Sequence, residues 1–162
     1  MRIALLFSQQ HEDFRLAEIR GICTACGLDV DCSRIDAQKA ISVLDLPVET
    51  VSVLLSRSLL LKSAYRLFGQ GENYEELHAN VKKDLGAFEP YSKPDQSFSI
   101  RVRPVGKKKN VDTKTPAEAI AEYIPLGHSP INLSSPTNAF TVLEEYDKES
   151  SGKPSCVYFG VL

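Results

Sequence analysis

Cys23-Thr-Ala-Cys26 is the pair of redox- or metal-capable side chains that stands at a recognised spacing. A redox pair wants its first thiol at a helix N-terminus, where the dipole lowers the thiol pKa. Here the apolar pattern puts both cysteines in the last turn of a helix, on its inward face, where burial and the dipole raise it. Zinc requires two more ligands; Cys32, Cys156 and His11 have the right chemistry, but none is paired at ligand spacing. The thiols therefore read as small buried hydrophobes. His11, His78 and His128 are scattered and accompany no nucleophile motif. Glu144 and Glu145 are neighbours on a predicted strand and point to opposite faces, which is poor geometry for a carboxylate pair. Gly69-Gln70-Gly71 opens like a dinucleotide-binding fingerprint, but Tyr74 stands where the third glycine belongs. The sequence has no phosphate-binding loop, and no catalytic constellation emerges.

Charge is more informative. The 162 residues carry 19 basic and 21 acidic side chains, a formal charge of −2, which excludes bulk electrostatic attraction to nucleic acid. That near-neutral total hides two opposed segments. Residues 91–115 hold Lys93, Arg101, Arg103, Lys107, Lys108, Lys109 and Lys114 against Asp95 and Asp112, an excess of five positive charges. Residues 117–149 hold Lys148 against six carboxylates, an excess of five negative charges. Arg101 and Arg103 share one face of a predicted strand and lead into the three consecutive lysines, an arrangement suited to phosphates. The same residues also suit a solubilising loop beside outward arginines, and charge alone leaves both readings open.

The elements that position these groups follow from hydrophobic period. A strand is predicted over 2–8 and a helix over 11–26, stopped by Gly27. Residues 28–35 and 41–46 read as a hairpin of two strands, and Pro47 opens a second helix. Residues 60–68 are extended. The order β-α-β-β-α-β makes residues 1–70 a ferredoxin-like domain. In residues 71–162, Asn73 and Glu76 form a capping box. Residues 97–105 alternate, with Phe98, Ile100 and Val102 inward and Ser99, Arg101 and Arg103 outward. A second capping box over 115–118 starts a helix through Ile120 and Ile124, and strands are predicted over 139–146 and 156–162. The fold class is α+β. No apolar run approaches the roughly 18 residues of a membrane span, and no signal-peptide cleavage pattern follows the first apolar run, so a cytosolic protein is expected. The last strand runs apolar to Leu162, which reads either as a cut at a domain boundary or as a C-terminal strand.

Several segments resemble a known family. His11-Glu-Asp-Phe14-Arg15-Leu-Ala-Glu18-Ile19 is similar to the opening of the catalytic subunit of eukaryotic and archaeal tRNA (guanine-10-N2)-methyltransferases. So are Arg57-Ser-Leu-Leu-Leu-Lys62-Ser-Ala-Tyr65-Arg-Leu-Phe68-Gly69-Gln-Gly71 and Tyr74-Glu75-Glu76-Leu77-His78. Ile131-Asn-Leu-Ser-Ser-Pro136-Thr-Asn-Ala-Phe140-Thr-Val-Leu-Glu-Glu-Tyr146 resembles that family's THUMP segment, and Val157-Tyr158-Phe159-Gly160 its junction with the methyltransferase domain. Phe68 stands where relatives commonly have Trp.

The resemblance implies a ferredoxin-like domain (1–70) followed by a THUMP-like α/β domain (71–162) that docks the 3′ end of tRNA. It implies methyl transfer from S-adenosylmethionine to guanosine 10 in a methyltransferase domain absent from this chain, which contains neither that domain's Asp-Pro-Phe-x-Gly-Thr-Gly motif nor its Asp-Pro-Pro-Tyr-like motif. A small zinc-binding activator subunit is expected on that missing domain, and no cofactor or metal in this one. In this setting Arg101, Arg103, Lys107, Lys108, Lys109 and Lys114 become the phosphate-contact candidates. Arg15 and Lys62, inside the family-like segments, are either contacts or structural ion-pair formers. The rival reading is a ferredoxin-like regulatory or protein-interaction module with no RNA role. Pairing of Arg101 and Arg103 with Glu144, Glu145 or Glu118 would favour it.

Overall fold

A computed structural model describes residues 1–106, 111–147 and 152–162. The chain divides into two compact units, Met1–Arg66 and Leu67–Leu162.

In the first unit, strand β1 (Arg2–Phe7) is central and antiparallel to both β2 (Ile41–Asp45) and β3 (Leu61–Gly71), and the division between units falls within β3. With a neighbour on either side, β1 is apolar and buried from Ile3 to Phe7. Ile3, Leu5 and Phe7 pack against Ile19 and Cys23 of helix α1 (Arg15–Cys26) and against Val51 and Leu54 of helix α2 (Val48–Arg57). Gly27 closes α1 in the left-handed conformation, φ 63°, a shape that glycine adopts without a Cβ clash.

Residues 28–35 are not the strand their alternation suggests. They form an irregular segment with one 3-10 turn (Cys32–Arg34), and the unit is βαβαβ with three strands rather than βαββαβ with four; the α+β class stands. Side chains meet the backbone's needs here in place of a ladder. Asp31 accepts from the Ser33 N–H at 3.1 Å, while the Arg15 guanidinium takes the carbonyls of Ala37 and Lys39, each at 3.0 Å.

In the second unit the strands lie in the order β3, β6 (Cys156–Val161), β5 (Asn138–Tyr146), β4 (Phe98–Gly106). β5 and β6 are antiparallel; β4 and β5 are parallel, registered from Phe98 opposite Asn138 to Gly106 opposite Tyr146. Helices α3 (Tyr74–Lys82) and α4 (Lys114–Ala121) and a 3-10 segment (Leu85–Tyr91) supply Leu77, Val81, Phe88 and Ile120 to a core with Phe98, Phe140, Val142 and Phe159. Phe68 stacks on Phe88 at 4.2 Å between centroids, so phenylalanine keeps the packing role at that position.

Asn73 caps α3 as its spacing predicts, accepting from the Glu76 N–H at 2.9 Å. The expected box over 115–118 does not form. Asp112 caps α4 instead, accepting from the N–H groups of Lys114 and Thr115. The glycines that mimic a nucleotide loop lie in β3 against α3: a Cβ on Gly71 would sit 2.6 Å from the Leu77 nitrogen.

Candidate nucleic-acid interface

β4 is the edge strand of the second unit, and its period of two sets the site. Phe98 and Val102 enter the core, and Arg101 and Arg103 are exposed on the other side, two residues apart. The alternation predicts Ser99 outward with them; it is fully buried, and Val105 on the same side is buried too. The cationic stripe on this strand is therefore a pair of arginines bounded by buried residues, not a continuous row. Pro104 follows on the edge, where a missing N–H is tolerated. The strand ends at Gly106, whose φ of 116° and 2.1 Å approach of a notional Cβ to the Tyr146 carbonyl oxygen require glycine. Lys107, Lys108 and Lys109 come next in the chain and lie outside the described residues.

Arg101 is held by a turn that charge patterning did not reveal. Its guanidinium donates to the Leu133 carbonyl. Asn132 builds that turn, accepting from the N–H groups of Ser134 and Ser135 at 3.0 Å and donating to the Ser135 carbonyl at 3.0 Å. The turn leaves Ile131 69% and Leu133 65% exposed beside the arginine. The available signal was Asn-x-Ser-Ser after an apolar residue, an Asx-turn pattern.

Lys114 opens α4 fully at the surface. Its Nζ lies 3.7 Å from Glu118 Oε1, an exposed i,i+4 pair of the kind that contributes roughly 0.3–0.5 kcal/mol. Asp112 beneath it has its carboxyl held below the usual range, chiefly by hydrogen bonds from Thr115 and then from Lys114. Lys62 is exposed on β3 in the first unit and donates to the Leu59 carbonyl at 3.2 Å.

Arg15, offered either as a contact or as a structural ion-pair former, is enclosed. It is 1% exposed, and its guanidinium bonds the carbonyls of Ser8, Ala37 and Lys39, with Glu12 at 3.9 Å. Burial lowers its pKa and Glu12 opposes that shift. No phosphate reaches a group so enclosed; Arg15 ties the loop before α1 to the loop before β2.

The carboxylates named as possible partners of the stripe make the following contacts. Glu144 is buried and accepts from the hydroxyls of Tyr74 at 2.7 Å and Tyr146 at 2.8 Å. Glu145, also buried on the opposite face, accepts from Tyr158 at 3.0 Å. Burial raises all three phenols above their ordinary range, reinforced by Glu144 at Tyr74 and Tyr146 and by Cys156 and then Glu145 at Tyr158. Glu118 meets Lys114.

Of the remaining candidates, His78 is half-buried and Cys23 is buried. His78 Nδ1 lies 2.8 Å from the Tyr123 hydroxyl, and burial, with Lys82, lowers its pKa. The Cys23 thiol is pushed up to about 11, first by burial. Among the described residues no group of three His, Cys, Asp or Glu side chains could hold a metal ion, and no helix is long and apolar enough to cross a membrane.

Comparison with known proteins extends over this whole arrangement. A tRNA (guanine(10)-N(2))-methyltransferase of Mus musculus, TRMT11, is 30% identical over 165 aligned positions, covering 98% of this chain and 36% of its own length. The Saccharomyces cerevisiae tRNA (guanine(10)-N(2))-methyltransferase is 28% identical, covering 96% of this chain and 37% of its own. The chain thus spans little more than a third of these relatives. Among solved structures, PH1313 from Pyrococcus horikoshii Ot3 shares the fold with a TM-score of 0.66 at 13% identity, over 99% of this chain and 54% of that one. A 4-thiouridine synthetase in complex with RNA and ATP gives 0.57 at 15% identity, over 99% and 40%. The family model described as the Tmrp11 THUMP N-terminal domain matches residues 1–162, and the chain belongs to that family.

Proposed function

We propose that these 162 residues are the tRNA-binding N-terminal module of a tRNA guanosine-10 N2-methyltransferase. The observation that carries this reading is the match along essentially the full chain to relatives named for that activity. The exposed Arg101–Arg103 pair on β4 supports it. Residues 1–70 form a ferredoxin-like domain reduced to three strands, and residues 71–162 the THUMP-like domain. The module docks the 3′ end of tRNA and so places guanosine 10 in a catalytic domain beyond Leu162.

S-adenosylmethionine would supply the methyl group in that domain. These residues do not fit the cofactor: its motifs are absent from the sequence, and the one glycine pair that resembles a nucleotide loop is closed by α3. The zinc-binding activator subunit engages the catalytic domain, and the enzyme works in the cytoplasm. Within the module, Arg101, Arg103, Lys107, Lys108, Lys109 and Lys114 contact phosphates, and Lys62 is a separate candidate contact in the first unit. Arg101 and Arg103 suit this role because a guanidinium offers forked donors to phosphate oxygens.

Binding of the chain to tRNA with and without its 3′ CCA tests this reading. Loss of most of the affinity on removing the CCA is the expected result. Equal affinity for both contradicts 3′-end docking, and no binding to either supports a regulatory or protein-interaction module instead.

A further inference from the structure

Phe14 is the only phenylalanine or tyrosine exposed among the described residues, at 64%, and the first unit builds a frame around it. His11, just ahead, takes the left-handed conformation with φ 56°, which is uncommon outside glycine. Its ring meets Phe14 edge-on, with 6.5 Å between centroids and 71° between planes. One turn further along α1, Glu18 shares the Phe14 face of the helix and grips the turn before β3. It accepts from the Ser58 hydroxyl and from the N–H groups of Leu59 at 2.7 Å and Leu60 at 3.1 Å. That grip presents Leu59, 81% exposed, on the side of α1 where Phe14 emerges, together with Lys62, whose Nζ donates to the Leu59 carbonyl. Of the carboxylates beside the ring, Glu12 faces the Arg15 guanidinium at 3.9 Å, and Glu18 is occupied by its three donors. The exposed cations Arg57 and Lys62 therefore outweigh Asp13.

We infer that Phe14 is a stacking platform for an unpaired base of tRNA, with Lys62 and Arg57 placed for the phosphates that flank it. The inference rests on the reading of this chain as a tRNA-binding module. It adds a second contact, in the first unit, different in kind from the β4 arginines. An exposed ring flanked by cations matches a single-stranded nucleotide, which offers a π-face beside charged phosphates. Two apolar side chains, Phe14 and Leu59, cover far less than the roughly 800 Å² per partner of a stable protein interface. Stacking tolerates any base, so this contact selects unpaired over paired RNA rather than a sequence.

The sequence contains no Trp, so Phe14→Trp places a single indole at the platform. Titrating that 162-residue chain with tRNA should quench the indole saturably, at the concentration where wild type binds. Phe14→Ala should weaken tRNA binding roughly 5- to 150-fold, the loss of one stacked base, with an unchanged urea midpoint because the ring is exposed. Phe14→Leu should lose as much and Phe14→Tyr should keep wild-type affinity, since the contact needs a π-face and not bulk. Wild-type binding with an unquenched indole and an unaltered Phe14→Ala affinity overturns the platform, leaves the module reading standing and gives the patch to a protein partner. Wild-type affinity in Phe14→Leu overturns stacking as well. Failure of the wild-type chain to bind tRNA overturns the module reading, and the platform with it.

Discussion

Arg15 in the first unit and Arg101 in the second make the same bond, from a guanidinium to backbone carbonyls, and do opposite things with it. Arg15 turns its guanidinium inside, joining the carbonyls of Ser8, Ala37 and Lys39 where no ladder runs. Arg101 uses one bond, to Leu133, and keeps the rest of its charged head at the surface of an edge strand. The neighbourhood decides which role results. Arg15 emerges at the first turn of α1 with two polar loops folded over it, whereas Arg101 sits on the outward side of β4, steadied by the Asn132 turn. A cation thus works as a tie where the backbone lacks partners, and as a handle where the sheet already supplies them.

The contrast can be broken at either end. Arg15→Ala has the largest expected effect: three carbonyls lose their donor, costing at least about 3 kcal/mol by urea denaturation. A cost under 1 kcal/mol would remove its structural role. Tyr74→Phe takes one donor from the buried Glu144, and a loss of about 1–2 kcal/mol is expected in the same measurement. The raised phenols of Tyr74, Tyr146 and Tyr158 add a pH signature. A phenol whose folded pKa lies above its unfolded value contributes stability that is present below about pH 10 and is lost as pH rises further. Stability should therefore fall above about pH 10, and less steeply in Tyr74→Phe. Lys114→Ala, at an exposed pair, changes stability by roughly 0.5 kcal/mol or less. Arg101→Gln with Arg103→Gln keeps polar side chains and should be equally mild.

Much of this fold is legible in the residues, where local rules and tertiary packing agree. The Asn73–Glu76 spacing, the Gly27 stop, and the inward Phe98 and Val102 all place elements correctly. The failures have a common cause. Residues 28–35 alternate like a strand, but the outer edge of β2, their expected hairpin partner, carries no ladder, and a local side-chain cap, Asp31 to the Ser33 N–H, serves this backbone instead. Ser99 alternates outward yet is buried, because exposure of a strand face depends on what lies over it. Sequence left Arg15 either a contact or a structural ion-pair former, since it shows charge without enclosure. The Leu133 turn is not legible from local pattern because its anchor, Arg101, lies 32 residues earlier.

Phosphate contact by the second unit's arginine pair is tested most directly by the salt dependence of tRNA binding to the chain. Wild type should weaken steeply as salt rises. The Arg101→Gln, Arg103→Gln chain should bind more weakly, with a log–log slope shallower by roughly 1.5, the counterion release of two lost phosphate contacts. An identical slope in the two proteins, at equal folded stability, would show that these arginines do not touch the RNA backbone.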